Sequence, residues 1–242
     1  GANNVVEGSR AWNNGDDGFD TFEAKGLVTI KNSWAWHNGY QYGTSTPAGN
    51  GVGFKLGSNF LQGTSLQNTV VRVLQNTISA DNRDSGYHIN EGDHRTQLYN
   101  NVSYGNVVTG LNFHWNNLVH TFKNNVSLGN GNNQVEVSTN SISTNNSYGA
   151  GSSDGGSGWA QTASAADFVS LDITQLDNPR NADGSLPVIT AFTLTSTSDL
   201  INAGTNVGLP FSGSAPDIGA FEYGGTSTTP TDTTAPTVPT YL

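Results

Sequence analysis

The 242-residue sequence predicts an all-β fold, a right-handed parallel β-helix built of stacked coils and carrying an asparagine ladder. Three observations lead there. The segments VEGSRAWNNGDDGFDTF, TIKNSWAWHNG, VLQNTISADNRDSGYHIN, LYNNVSYGNVVTGLNFH and FKNNVSLGNGNNQVEVS can be laid over one another, with a shorter sixth copy at STNNSYGA. Anchored on Gly8, Asn32, Asn76, Asn100, Asn124 and Asn145, these copies are spaced 24, 44, 24, 24 and 21 residues apart, and six residues beyond each of the first five anchors stands another asparagine: Asn14, Asn38, Asn82, Asn106 and Asn130. Lastly, 30 glycines, abundant Asn, Ser and Thr, and only 12% charged residues favour short strands and turns over long helices.

Each element follows from that frame. Asparagine tolerates left-handed backbone, and its amide both donates and accepts, so identical amides stacked coil on coil can bond along the stack. After this corner, strand alternation assigns the faces. Phe19, Phe54, Tyr87, Leu111 and Val135 form one inward column, and Thr21, Leu56, Ile89, Phe113 and Val137 the next. Between them an outward column, Asp20, Lys55, His88, Asn112 and Glu136, changes chemistry from coil to coil, as a working face does.

The irregular spacing of 44 holds two insertions, 11 extra residues between Asn38 and Gly53 and 9 between Lys55 and Asn76, which flank Lys55 as surface loops. Residues 1–148 are therefore read as the coils and 149–224 as C-terminal loops and a cap of the same domain. In that second part a short helix is expected before Pro187 and an extended stretch at AFTLTSTSDLINAG, the whole covering the open end of the solenoid. The Thr/Pro-rich residues 225–242 are a linker of the kind that joins modules of secreted proteins.

Charge and composition exclude several functions. A net charge of −10 argues against nucleic-acid binding through a basic surface, although a divalent cation can bridge an acidic protein to a polyanion. No apolar run is long enough to span a membrane. With no cysteine, neither disulfides nor thiol chemistry is available.

The chemistry gathers at NGDDGFD, where Asp16, Asp17 and Asp20 are hard oxygen ligands suited to a cation such as Ca²⁺. An Asp-Gly turn chosen for its backbone angles explains the same residues without a metal. Lys55 falls one coil, about 4.8 Å, above Asp20 in the outward column. A plain surface ion pair accounts for that too, but both insertions bracket this lysine, and a neighbouring dication would favour its neutral, basic form. His88 and Asn112 continue the column as substrate contacts, and Arg83 and Arg95 are candidates to pair with carboxylates of a substrate. A solvated face explains each of these four equally well. Trp12, Trp34 and Trp36 are core aromatics or sugar platforms; their repeat position does not decide between the two.

DDGFD followed by GNGVGFKLGSN, together with the asparagine column, resembles the family 9 polysaccharide lyases, parallel β-helix pectate lyases whose site joins a DDG-x-D calcium cluster to a GFKLG lysine. The likeness runs over residues 1–225, counting PDIGAFEY. It implies that Asp16, Asp17 and Asp20 bind Ca²⁺ and that Lys55 is the Brønsted base. It further implies a secreted enzyme that cleaves an acidic polysaccharide such as pectate or polygalacturonate by β-elimination. The family also uses an aspartate one coil before the DDG turn, and this sequence begins at Gly1. The resemblance thus implies a helix lacking its N-terminal coils, its site completed by a polypeptide that supplies one. Two other readings stay open: a polygalacturonase-type hydrolase using paired carboxylates, although its N-T-D, G-H-G and R-I-K motifs are absent, and a non-catalytic polysaccharide-binding or assembly module.

Overall fold

The computed structural model describes residues 3–57, 61–114 and 117–224, so the 225–242 linker lies outside the described residues. Its strands form three parallel sheets that wind as one β-helix. The first sheet takes six strands in the order Asn4–Glu7, Val28–Lys31, Val70–Gln75, Arg95–Tyr99, Thr121–Lys123 and Ile142–Thr144. A second of seven strands runs from Arg10–Trp12 to Trp159–Ala160. The third, with six, stacks Phe19–Asp20, Phe54–Lys55, Tyr87–His88, Thr109–Phe113, Asn133–Val137 and Ser153–Asp154.

The asparagine ladder is present as the repeat predicts. Nδ2 of Asn14 donates to Oδ1 of Asn38 at 2.9 Å, Asn38 to Asn82 at 2.8 Å, Asn82 to Asn106 at 2.9 Å, and Asn106 to Asn130 at 2.9 Å. Backbone N–H groups of the same residues donate to the same oxygens, so each amide closes a corner as well as a rung. Gln134 ends the stack by accepting from Asn130 at 3.2 Å. The anchor positions explain themselves in backbone terms: Gly8, Asn32, Asn76, Asn100, Asn124 and Asn145 all have φ between 48° and 59°, the left-handed region that Gly and Asn enter most easily.

A second ladder, unforeseen, stands one residue after those anchors. Asn101 donates to Asn125 and Asn125 to Asn146, both at 2.9 Å, while Thr77 donates its hydroxyl to Asn101 at 2.6 Å. The Asn-Asn doublets at 100–101, 124–125 and 145–146 carried its signal in the sequence.

Both inward columns fill the interior: Phe54, Leu56, Tyr87, Ile89, Leu111, Phe113, Val135 and Val137 are buried in one cluster. Phe19 stacks on Phe54 at 5.0 Å and Phe54 on Tyr87 at 5.1 Å, an aromatic pile with the period of the coils. The C-terminal part behaves differently from expectation. It has two short 3₁₀ helices, Ala165–Asp167 and Ile173–Asp177, in place of one helix. Residues 191–204 form turns and isolated bridges where an extended stretch was expected. Phe168, Leu176, Ile189, Phe192, Leu194, Leu200 and Ile218 pack with Trp34, Trp36, Ile78, Val102 and Val126 on the outer face of the second sheet. The segment thus sheathes the flank along its length, since that face is as apolar as the interior; Arg10 on the first coil anchors it by donating to Leu176 O and Asn178 O. Trp34 and Trp36 belong to this flank cluster and are buried, while Trp12 is half exposed and stacks on Trp36 at 5.0 Å.

His120 gives the fold a measurable acid limit. Its ring is buried, Nδ1 accepts from the Thr96 N–H at 3.2 Å, and burial, with His94 and Arg95 nearby, depresses its pKa to about 3. An unfolded His takes a proton below about 6.5. The unfolded chain therefore binds the extra proton between pH 6.5 and about 3, and stability contributed by neutral His120 is complete above 6.5 and lost as pH falls through that window. At pH 5 the loss from this residue is about 2 kcal/mol. Urea unfolding at pH 7 and pH 5 will show a difference larger in wild type than in His120→Gln by that amount.

Candidate active site

The NGDDGFD turn is zipped to the GNGVGFK stretch one coil above. Gly49 donates to Gly15 O at 2.5 Å, Gly18 to Val52 O at 2.9 Å, Phe19 to Gly53 O at 2.9 Å and Thr21 to Lys55 O at 3.0 Å. The carboxylates join the same seam: Asp16 Oδ1 accepts from Asn50 N and Asp17 Oδ1 from Val52 N, both at 2.8 Å. Two glycines make the approach possible. A Cβ on Gly49 would lie 2.5 Å from Asp16 Oδ1, and one on Gly18 would lie 2.7 Å from Gly53 O.

Register puts Asp20 opposite Lys55, Lys55 opposite His88, His88 opposite Asn112 and Asn112 opposite Glu136, as the outward column requires. Asp154 extends it by one coil. Lys55 Nζ sits 2.9 Å from Asp17 Oδ2 and 3.3 Å from Asp20 Oδ2, and 5.8 Å from the centre of the Phe22 ring. The Asp17 side chain is only 3% exposed, that of Lys55 16% and that of Asp20 41%. Burial by itself lowers the Lys55 pKa, but hydrogen bonding and charge from Asp17, seconded by Asp20, outweigh it and raise it. Burial pushes the Asp17 carboxyl up, with Lys55 and the Val52 N–H opposing. In this arrangement Lys55 is an ammonium, contrary to the neutral amine that an adjacent dication would favour.

Among the described residues no three acidic or histidine side chains converge closely enough to hold a metal ion by themselves. The donor chemistry nevertheless fits one: Asp17 and Asp20 already aim oxygens at a shared cationic group, the Lys55 ammonium, and Asp16 lies on the same turn. Those are the residues that would hold a hard cation.

The softer candidates separate. His88 is largely buried beside Lys55, and desolvation lowers its pKa against the pull of Asp84. Asn112 is buried with Oδ1 lacking a hydrogen-bond partner. One coil on, Glu136 is held by His114 Nδ1 at 3.1 Å and by the Asn133 amide. Arg83 serves the first insertion, its Nη1 donating to Gly49 O at 2.7 Å, while Arg95 donates to Asn68 O at 2.6 Å. Sequence reasoning missed Phe22, Arg72 and the N–H groups of Asn50 and Val52. Only Arg72 left a trace, as a charge inside the apolar alternation of Val70–Gln75.

The model for the Pel9A-like, right handed beta helix region matches residues 1–133, more than half of the chain. The chain belongs to this family. Pectate lyase L of Dickeya dadantii (strain 3937) is 40% identical over 229 residues, 92% of this chain and 48% of that protein. Pectate lyase PEL9 of Emericella nidulans is 30% identical over 77% of this chain and 46% of its own length. Among solved structures, pectate lyase Pel9A superposes with a TM-score of 0.69 and 34% identity, covering 91% of this chain and 51% of that one. A rhamnogalacturonan lyase superposes with a TM-score of 0.63 at 28% identity, over 80% and 48%. The chain thus spans about half the length of the relatives it matches. The right-handed parallel β-helix read from the repeat is the fold of this family.

Proposed function

We propose that this chain carries the site of a secreted, calcium-dependent lyase that cleaves 4-linked uronate polysaccharide, pectate or polygalacturonate, by β-elimination. The observation behind this reading is Lys55 Nζ seated between Asp17 and Asp20 on the outward face of the third sheet. Lys55 is the base. Its amine takes the C5 proton of the uronate, the C5–H electrons form the C4–C5 double bond, and the C4–O bond breaks, leaving the glycosidic oxygen to collect a proton. Bound at Asp16, Asp17 and Asp20, Ca²⁺ would neutralise the substrate carboxylate and acidify that C5 proton. Asp17, pinned by the Val52 N–H, and Asp20, pinned at 2.8 Å by the Phe22 N–H, keep the amine of Lys55 in place. His88 and Asn112 line the next coils for the sugar chain, and Arg83 shapes the loop whose Asn50 N–H holds Asp16.

The test is to incubate the protein with polygalacturonate and Ca²⁺ and follow the ultraviolet absorbance of the 4,5-unsaturated product, with a chelator in parallel. Absorbance that the chelator abolishes supports the reading; new reducing ends without absorbance mean hydrolysis and overturn it. Asp17 and Asp20 raise the Lys55 pKa in the metal-free chain, and Ca²⁺ bound to the same carboxylates would lower it. Because the neutral amine is the working form, the rate is expected to climb roughly tenfold per pH unit below the amine's pKa and then level off, and the plateau is expected to begin at lower pH as Ca²⁺ is raised. A rate that falls as pH rises through the alkaline range, in protein that stays folded at saturating Ca²⁺, would remove Lys55 as base.

A further inference from the structure

Arg72 is fully buried, and its pKa is lowered by desolvation to about 10, yet among the described residues no carboxylate contacts it. All five of its N–H donors are used on neutral oxygens. Nε donates to Thr21 Oγ1 at 2.8 Å, Nη1 to Gly26 O at 2.9 Å and Val71 O at 2.8 Å, and Nη2 to Thr21 O at 2.9 Å and Ala24 O at 2.7 Å. Four of these five bonds reach the turn that leaves Asp20. A buried charge without a counter-ion is costly, and an apolar residue would fill the same strand position more cheaply. The bulge in the pairing, where Arg95 opposes Val70 but Thr96 opposes Arg72, leaves Val71 as the extra residue; such bulges re-aim side chains.

The turn is wired to the reacting groups at three points. Thr21 Oγ1, holding the Arg72 Nε, donates onward to Lys55 O at 3.3 Å, and Thr21 N donates to the same carbonyl at 3.0 Å. Phe22 N–H pins Asp20 Oδ1, and the Phe22 ring lies against the Lys55 ammonium. The alternative, that Arg72 merely plugs the interior, leaves unexplained why its donors go to the one turn that presents Asp20 and Phe22.

We propose that Arg72 is a positioning residue: it clamps the turn at residues 21–26 and thereby sets where Asp20, Phe22 and Lys55 stand relative to one another. Its bearing on catalysis rests on the lyase reading above, but the clamp has its own readout. Without metal or substrate, acetylation of Lys55 by acetic anhydride, mapped by mass spectrometry and referred to Lys123 in the same molecule, reports the packing around its amine. In Arg72→Gln the turn loosens and Lys55 is expected to acetylate severalfold faster relative to Lys123, while kcat on polygalacturonate drops roughly hundredfold with KM changed much less. Leu74→Ala, a cavity in the same strand, is the control: it lowers Tm and leaves the Lys55 ratio at the wild-type value. Should Arg72→Gln not fold, Thr21→Val, which removes the hydroxyl bridge alone, is expected to shift acetylation the same way by less. An unchanged Lys55 ratio in the folded variants overturns the clamp. Absence of any lyase product from wild type overturns the functional reading instead, and the acetylation result still decides the clamp.

Discussion

Replacing Lys55 with alanine is expected to cut formation of unsaturated product by roughly 10²- to 10⁴-fold, the range that a positioned general base supplies. Alanine alone would leave the interpretation open, because it also strips the cation from Asp17, whose side chain is 3% exposed, and removing one partner of a buried pair is destabilising. Lys55→Arg resolves this. Arginine keeps the positive charge beside Asp17 and Asp20 but does not deprotonate in a protein. A variant with near-native thermal unfolding and no elimination would assign the loss to proton transfer. If Lys55→Arg keeps normal product formation, Lys55 is not the base.

The largest effect on stability is expected at the centre of the ladder. The Asn106 side chain donates to Ser79 O, Ser103 Oγ and Asn130 Oδ1, and its Oδ1 accepts both the backbone N–H and the amide of Asn82. All these groups are buried. Truncation to alanine leaves several of them unpaired, and each unsatisfied buried group costs about 1–3 kcal/mol. A total of roughly 3–5 kcal/mol follows, because neighbouring rungs relax only in part. That corresponds to a Tm lower by roughly 10 °C for a chain of this size. Asn132→Ala, at an exposed position outside both ladders, serves as the reference and should stay within about 0.5 kcal/mol of wild type. Equal losses in the two variants would mean that the ladder contributes nothing beyond ordinary turn asparagines.

The flank has a bearing on how such variants should be read. The C-terminal segment, tied down through Arg10 and Arg180, joins residues far apart in the chain, with Arg180 Nη2 donating to Gly8 O at 2.8 Å. Unfolding of the first coil therefore releases the sheath as well, and the coils and the sheath are expected to melt together.

Much of this was legible in the sequence because a solenoid repeats its local chemistry. The Asn14 to Asn130 column, the inward Phe54 and Tyr87, and the register that sets Asp20 beside Lys55 all follow from a constant offset, and parallel stacking turns equal offsets into neighbours. The second ladder lay in the Asn-Asn doublets by the same logic. What only the tertiary structure decided involves residues outside that periodicity. Arg72 reaches Thr21 across 51 positions, and Arg10 reaches Leu176 across 166. The Asn50 and Val52 N–H groups hold Asp16 and Asp17 from inside an insertion. The charge state of Lys55 belongs here too: proximity to carboxylates follows from the repeat, but whether burial or pairing governs the proton depends on how closely Asp17 is packed against it, which only the folded chain defines.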